Sequence, residues 1–260
     1  AKAHPEFAYT LQMHCGMPEI AQYMAPGFLD QERLQIINKY GNDALFQQEY
    51  MTSWISPNSG SVFGPLTKIM KDEGRVAPIT PDTERPFYAA YDIGNADNTS
   101  IVLFQVDENG FPHVYDHIEN RNEDVGWYVG EMIERGWKVH THFLPHDADH
   151  KRLGDFNKST KQQLQDLMPG QTFWIVPRIT ELMAGINATR KHLKSAYFDT
   201  EGTKQGIARL QGYQKKFSQS ENRYLDQPNK HNGCSEGADA LRQWAQAKDC
   251  GLLDGMTQTS

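Results

Sequence analysis

The 260-residue chain is poor in cysteine: Cys15, Cys234 and Cys250 are the whole complement, and no C-x-x-C pair occurs. An odd number without that spacing excludes a disulfide framework and a zinc knuckle, and favours a reducing compartment. No apolar run approaches the ~20 residues of a bilayer span, so no membrane partner is expected. No charged-then-apolar leader opens the sequence. Internal repeats and low-complexity tracts are missing as well. So is a glycine-rich phosphate loop after a strand, which removes a dinucleotide-binding fold. What is present is an ordinary globular composition, 38% hydrophobic and 23% charged. At this length the chain can bury a sizeable core as one large domain, or as one domain with a smaller attachment.

The net charge of -7 argues against a protein that simply coats nucleic acid. The charge is uneven, however. Residues 151–230 hold 14 Lys and Arg against 7 Asp and Glu, while the remainder holds 12 against 26. A basic segment beside acidic parts suits an enzyme that grips phosphates next to a carboxylate site. The plainer reading is a lysine-rich helix surface that serves solubility, and both stay open at this point.

Proline and periodicity divide the chain. Pro5, Pro18 and Pro26 break any long element in residues 1–30. Residues 30–54 read as helical, with Asp30 as a cap and Gly41 as a break. Residues 55–65 are rich in turn residues, and 74–86 hold three prolines and read as a linker. The expected division is therefore 1–75, a small and mostly helical attachment, and 76–260, the main body. In the body, strands are predicted at 87–94, 99–107, 111–120, 137–148 and 172–178. Helices are predicted at 124–136, 160–170 (with Ser159 as cap), 180–196, 201–218 and 235–249, with a polar loop before the last. Three antiparallel strands followed by alternating helices and strands is the order of an α/β, ribonuclease-H/integrase-like mixed sheet flanked by helices.

In that fold the first and fourth strands are neighbours. Asp92 ends the first, Asp147 ends the fourth, and Asp239 lies on the first turns of the last helix. Taken singly, each has a plainer role: Asp92 turns the chain before Ile-Gly, Asp147 caps the next segment, and Asp239 is a surface acid. Together, three carboxylates from three elements repel one another and are costly to bury. Divalent cations reverse that sign, and hard oxygen ligands suit Mg²⁺ or Mn²⁺. A pair of such ions about 4 Å apart suits phosphodiester hydrolysis. Asp97, Asp149 and Glu236 are secondary candidates, the last because it stands one helical turn before Asp239. A rival reading puts zinc on His140, His142, His146 and His150. It fails at Leu144 and Pro145, which stand where an H-x-H-x-D-H site needs Asp and His. Most of these histidines are expected to pack or to face phosphate.

These residues carry a resemblance. YDIGNADNTSIVLF, FLPHDA and EGADALRQW, in this order and spacing, resemble the C-terminal nuclease domain of the large terminase subunit of tailed bacteriophages. ALFQQEYMTSW is similar to the F-x-QEY segment that closes the ATPase part of those subunits, and residues 182–217 resemble the family between its second and third acidic motifs. The resemblance covers roughly residues 40–248. It implies a nuclease that cuts concatemeric viral DNA during packaging in the cytoplasm of the infected bacterial host and is not in the mature virion. The implied partners are double-stranded DNA, the portal protein and the small terminase subunit. It matches Asp92, Asp147 and Asp239 to the metal-binding acids. Two departures stand out. Glu236 occupies a position where the family often has histidine, and no G-x-x-x-x-G-K-[ST] loop occurs in this chain, so ATP hydrolysis is not expected of it. Residues 1–75 would then be a remnant of the motor domain with its linker.

The resulting expectation is Mg²⁺- or Mn²⁺-dependent cleavage of double-stranded DNA with two ions and little sequence preference. It leaves 5'-phosphate and 3'-hydroxyl ends, with Lys151, Arg152, Lys215 and Lys216 on the backbone. The alternatives are a non-catalytic module that docks the motor to the portal or positions DNA, and a junction-resolvase-like nuclease of the same superfamily.

Overall fold

Apolar side chains that alternate along three long strands decide the architecture. The computed structural model describes residues 17–40, 46, 50, 60–94, 98–150, 158–179, 181–218, 220, 223–229 and 234–253. They fall into two compact units, 1–61 and 62–260. In the first, helix α1 (Pro18–Ala21) carries proline at its start, and α2 (Phe28–Tyr40) follows Gly27. Phe46 stacks on Tyr50 at 5.2 Å, and the Tyr50 hydroxyl donates to Glu32 at 2.9 Å. Most of the second half of the helical stretch predicted at 30–54 lies outside the described residues.

The second unit opens with α3 (Gly64–Asp72), which starts on Pro65 and for which no helix was expected. It continues through β1 (Phe87–Asp92), β2 (Asn98–Val106), β3 (Pro112–Arg121), α4 (Val125–Glu134), β4 (Val139–Leu144), α5 (Thr160–Leu167) and β5 (Thr172–Ile175). Then come α6 (Leu182–Leu193), β6 (Tyr197–Phe198), α7 (Lys204–Gly212), β7 (Lys215–Ser218), β8 (Arg223–Pro228) and α8 (Ser235–Asp249). The sheet order is β5-β4-β1-β2-β3-β6. β1, β2 and β3 are antiparallel neighbours, β4 runs parallel to β1, and β5 runs parallel to β4. This is a mixed α/β sheet of the ribonuclease-H-like kind.

Period-two alternation sorts the sheet into two faces. Ala89, Tyr91, Ile101, Leu103 and Ile118 pack with Tyr128, Val129 and Met132 of α4 and Leu164 of α5. Tyr88, Ala90, Val102, Phe104 and Phe143 pack with Ile186, Leu210, Leu241 and Trp244 of α6, α7 and α8. The helix ends follow local chemistry. Asp124 accepts from the Trp127 N–H at 2.8 Å, and Ser159 forms a capping box with Gln162. Gly136, with φ at 78°, closes the turn after α4. Buried Arg75 donates to the Leu193 and Ala196 carbonyls at 2.9 and 2.8 Å, which satisfies the last carbonyl of α6 and one just beyond the helix.

One predicted helix is shorter than expected. The run 201–218 leaves the helix at Gly212, where a Cβ would lie 2.6 Å from Cys234 Sγ. Lys215–Ser218 then pairs with Arg223–Pro228 as a two-stranded ribbon, with Phe217 opposite Tyr224. The polar loop expected before the last helix therefore contains a strand.

Candidate metal and nucleic-acid site

Asp92 owes its place to the alternation that builds the core. It continues the Tyr88, Ala90 side of β1, so it faces α8 and not α4. Helix α8 lies close over that face because Gly237, Ala238, Ala240, Ala245 and Ala247 are small and buried. A Cβ at Gly237 would meet Arg209 at 2.9 Å and His117 Nε2 at 3.2 Å. Asp239 is thereby carried toward the end of β1. Asp147 arrives by a turn after β4, in which the Ala148 N–H donates to the Pro145 carbonyl and the His150 N–H to the Asp147 carbonyl, both at 3.0 Å.

Asp92, Asp147 and Asp239 line one cavity of ≈ 290 Å³, together with His146, Arg178 and Arg242. The cavity is not the largest: one of ≈ 410 Å³ lies by Asp116, His117 and Arg135, where acids and bases are interleaved. Each cavity is lined by three acids and two bases; the smaller one is set apart by where its acids come from, the end of β1, the turn after β4 and helix α8. Burial pushes the Asp92 carboxyl well above the usual carboxylate range, and the charges of Asp239, Glu236 and Asp147 push in the same direction, while Arg242 opposes them. The Tyr213 hydroxyl is likewise raised by burial and by Asp239, Asp92 and Glu236. Tyr213 Oη and Glu236 Oε2 are buried side-chain atoms without a hydrogen-bond partner. Arg242 Nε donates to Asp239 Oδ1 at 3.1 Å.

The donor set fits a hard divalent cation. Carboxylate oxygens from three elements surround a polar cavity, and an orphaned carboxylate oxygen on Glu236 stands near them. The side chains are not drawn into a finished shell: among the described residues no three His, Cys, Asp or Glu groups are gathered closely enough to hold an ion.

The other predicted residues divide. Asp149 is exposed and accepts from Ser159 Oγ at 3.5 Å, on the α5 side of the turn, and does not line the cavity. Asp97, Lys151 and Arg152 lie outside the described residues. Lys215 and Lys216 belong to the β7–β8 ribbon, where Lys216 and Phe217 are exposed. Of the histidines, His142 is core: it bonds the Tyr91 hydroxyl at 2.8 Å, stacks on Phe173 and touches Gln171. His146 faces the acids. Arg242 and Tyr213 were not foreseen. For Arg242 the signal was its i+3 spacing from Asp239; for Tyr213 the sequence offers none.

Among the described residues no helix is long and apolar enough to cross a membrane. No family model matches the sequence, and no curated protein is matched. Solved structures are similar. The large terminase of the thermophilic bacteriophage D6E, in complex with ADP, is 14% identical over 87% of this chain and 53% of its own, with a TM-score of 0.53. Another crystal structure of that protein aligns over 69% of this chain and 44% of its own, with 15% identity and a TM-score of 0.51. The P22 large terminase nuclease domain is 12% identical over 68% of this chain and 89% of its own, with a TM-score of 0.51. The chain thus spans about half the length of the D6E protein and most of the P22 domain. With its sheet order and flanking helices, the chain has the ribonuclease-H-like fold found in the nuclease domain of phage large terminases.

Proposed function

We propose that this chain is a metal-dependent endonuclease that cleaves concatemeric double-stranded DNA during viral genome packaging in the infected bacterial cytoplasm. The observation that carries the reading is that Asp92, Asp147 and Asp239 line one cavity, where burial and the charges of Asp239, Glu236 and Asp147 raise the Asp92 carboxyl. Carboxylates brought together in a buried site are costly unless cations or protons join them. The shared fold with terminase structures supports the same reading.

Asp92, Asp147 and Asp239 would together hold two Mg²⁺ or Mn²⁺ ions. Bound there, the ions would supply Lewis acidity for phosphodiester hydrolysis. The protein's own groups orient and exclude. The β1 and β4 ends hold the acids on a rigid sheet, α8 closes one side, and His146 and Arg178 stand at the cavity for a phosphate. Lys216 on the ribbon would meet the backbone of the duplex without reading bases. Residues 1–75 are taken as the end of a motor domain and its linker. No phosphate-binding loop for ATP occurs in this chain. The portal protein and the small terminase subunit are the expected protein partners.

The test is nicking of supercoiled plasmid in Mn²⁺ by the wild type and by Asp92→Ala. Cleavage by the wild type alone supports the reading; equal cleavage by both overturns the site. A second reading, a non-catalytic module that docks the motor or positions DNA, draws on the acids not being gathered into a shell. Calorimetric titration with Mn²⁺ separates the two, because a docking module has no reason to bind two ions.

A further inference from the structure

One cation faces the acid cavity from the helix that supplies one of its acids. Arg242 follows Asp239 by one turn of α8, and its Nε donates to Asp239 Oδ1 at 3.1 Å. The two side chains are 15% and 13% exposed, so the contact is shielded from water. It uses Nε, which leaves the four N–H groups of the terminal nitrogens outside this contact. The stem is held from behind. A Cβ at Gly185 would lie 2.8 Å from Arg242 Cδ and 2.8 Å from Gln246 Nε2, so the α6 backbone presses directly on the arginine. The guanidinium cannot simply retreat into the protein; its free direction is the cavity it lines.

The charge it answers exceeds its own. Asp92, Asp147 and Asp239 line the same cavity, and Glu236 Oε2 is buried nearby without a partner. Arg178 also lines the cavity but is exposed. The Arg242 guanidinium is therefore a partial neutraliser of the acids it faces, and a divalent cation would compete with it for the Asp239 carboxylate. Once displaced, a planar fork of donors at the cavity edge suits a phosphate, which it can bind through two parallel hydrogen bonds.

We infer that Arg242 is an exchangeable counter-ion of the acid cavity: it holds Asp239 while no divalent cation is bound, yields that carboxylate when a cation enters, and takes a DNA phosphate instead. The inference rests on the metal-dependent nuclease reading above. Linkage makes the exchange reciprocal, so whatever the Arg242–Asp239 contact contributes without cation is subtracted from cation binding.

The experiment measures two affinities for the wild type, Arg242→Gln and Gly185→Ala. Mn²⁺ binding is followed by calorimetry without DNA, and duplex DNA binding by fluorescence anisotropy in Ca²⁺. Thermal melting in EDTA checks the fold. Arg242→Gln is expected to bind Mn²⁺ about tenfold more tightly, and to hold the duplex several-fold more weakly. Gly185→Ala, which leaves every acid in place and pushes on the arginine stem, moves both affinities the same way by smaller factors. A merely structural role would lower both affinities together; that result, or Mn²⁺ binding unchanged in Arg242→Gln, overturns the inference. If Arg242→Gln does not fold, Arg242→Lys takes its place, since it keeps the charge and loses the fork. Mn²⁺ affinity near the wild-type value with weaker duplex binding then supports the inference, and undiminished duplex binding overturns it. A wild type that binds no Mn²⁺ removes the nuclease reading itself; a wild type that binds Mn²⁺ while Arg242→Gln binds no more tightly removes this inference alone.

Discussion

Asp239, on the last helix, and Asp92, at the end of the first strand, act on each other across the cavity: among neighbouring charges, Asp239 contributes most to raising the Asp92 carboxyl. They are far apart in the chain, and both face the side of the sheet that α8 covers. Their repulsion is a cost of the cation-free fold, and it has measurable consequences.

Asp92→Asn removes one of the repelling charges and keeps the shape. Without divalent cation the variant should melt higher than the wild type, by about 2–4 °C for each ~1 kcal/mol relieved. Adding Mn²⁺ should raise the melting temperature of the wild type and leave that of the variant nearly unchanged. Differential scanning calorimetry with and without Mn²⁺ checks both signs. A variant less stable than the wild type in EDTA would mean that the acids do not strain the fold.

Helix α8 is anchored by Trp244, which is 1% exposed and packs on Phe104 and His192 at ring distances of 5.9 and 5.3 Å. Trp244→Ala should cost about 3–5 kcal/mol and weaken cation binding by loosening the helix that carries Asp239. Trp244→Phe should cost far less, because the indole N–H it removes is buried without a partner. Urea denaturation of the two variants gives the comparison.

Two glycines predict opposite signs. A Cβ at Gly202 would lie 2.0 Å from the Tyr115 carbonyl oxygen, a backbone atom that cannot rotate away. Gly202→Ala should cost about 3 kcal/mol or more. Gly130, on the exposed side of α4, has nothing within 4 Å. Gly130→Ala should stabilise by up to ~1 kcal/mol through helix propensity. Chemical denaturation midpoints decide both.

Acid should unfold the protein through two buried histidines. Burial first, then the Arg209 charge, brings His117 down to about 4, and burial brings His142 down to about 4 despite its bond to Gln171. Both are held neutral in the fold and charge readily once unfolded. Their contribution is complete above about pH 6.5 and is lost as pH falls toward 4, on the order of 3 kcal/mol for each. His117→Gln, which can keep a hydrogen bond to Ser100, should flatten the fall in melting temperature between pH 6.5 and 4.

Duplex binding should carry the mark of phosphate contacts. Lys216→Ala on the β7–β8 ribbon should weaken binding alike for unrelated DNA sequences, and reduce the slope of log K against log salt by about 1. Anisotropy titrations at several salt concentrations measure the slope. An unchanged slope would place this lysine away from the DNA.

Local chemistry made much of the fold readable. The strands at 87–92, 98–106 and 112–121 alternate apolar residues toward two cores, and Asp124 and Ser159 announce the helices they cap. The β7–β8 ribbon was missed because Gly212 was not read as the end of the helix, and the close approach of Cys234 to it belongs to the tertiary structure. The two-residue strand β6 was hidden for the same reason, since pairing with β3 holds it, whereas helix α3 carries its own signals, Pro65 at its start and an apolar face through Met70, that were not read. Of the site, the three acids could be named as candidates from their positions at element ends. Asp147 was preferred to Asp149 for its place at the strand end; that Asp149, the secondary candidate, does not line the cavity is decided by the turn after β4.

The amino-acid sequence alone determined which segments form helices and strands, for the most part, and which side of each strand is buried. Those properties follow from periods of 2 and 3.6 and from capping groups within a few residues of one another. The tertiary structure alone decided that Asp92, Asp147 and Asp239 share one cavity, that Arg242 leans on Gly185 to reach Asp239, and that the Asp92 carboxyl is raised. The free energy of a charge depends on burial and on distance to other charges, and neither is a property of separation along the chain.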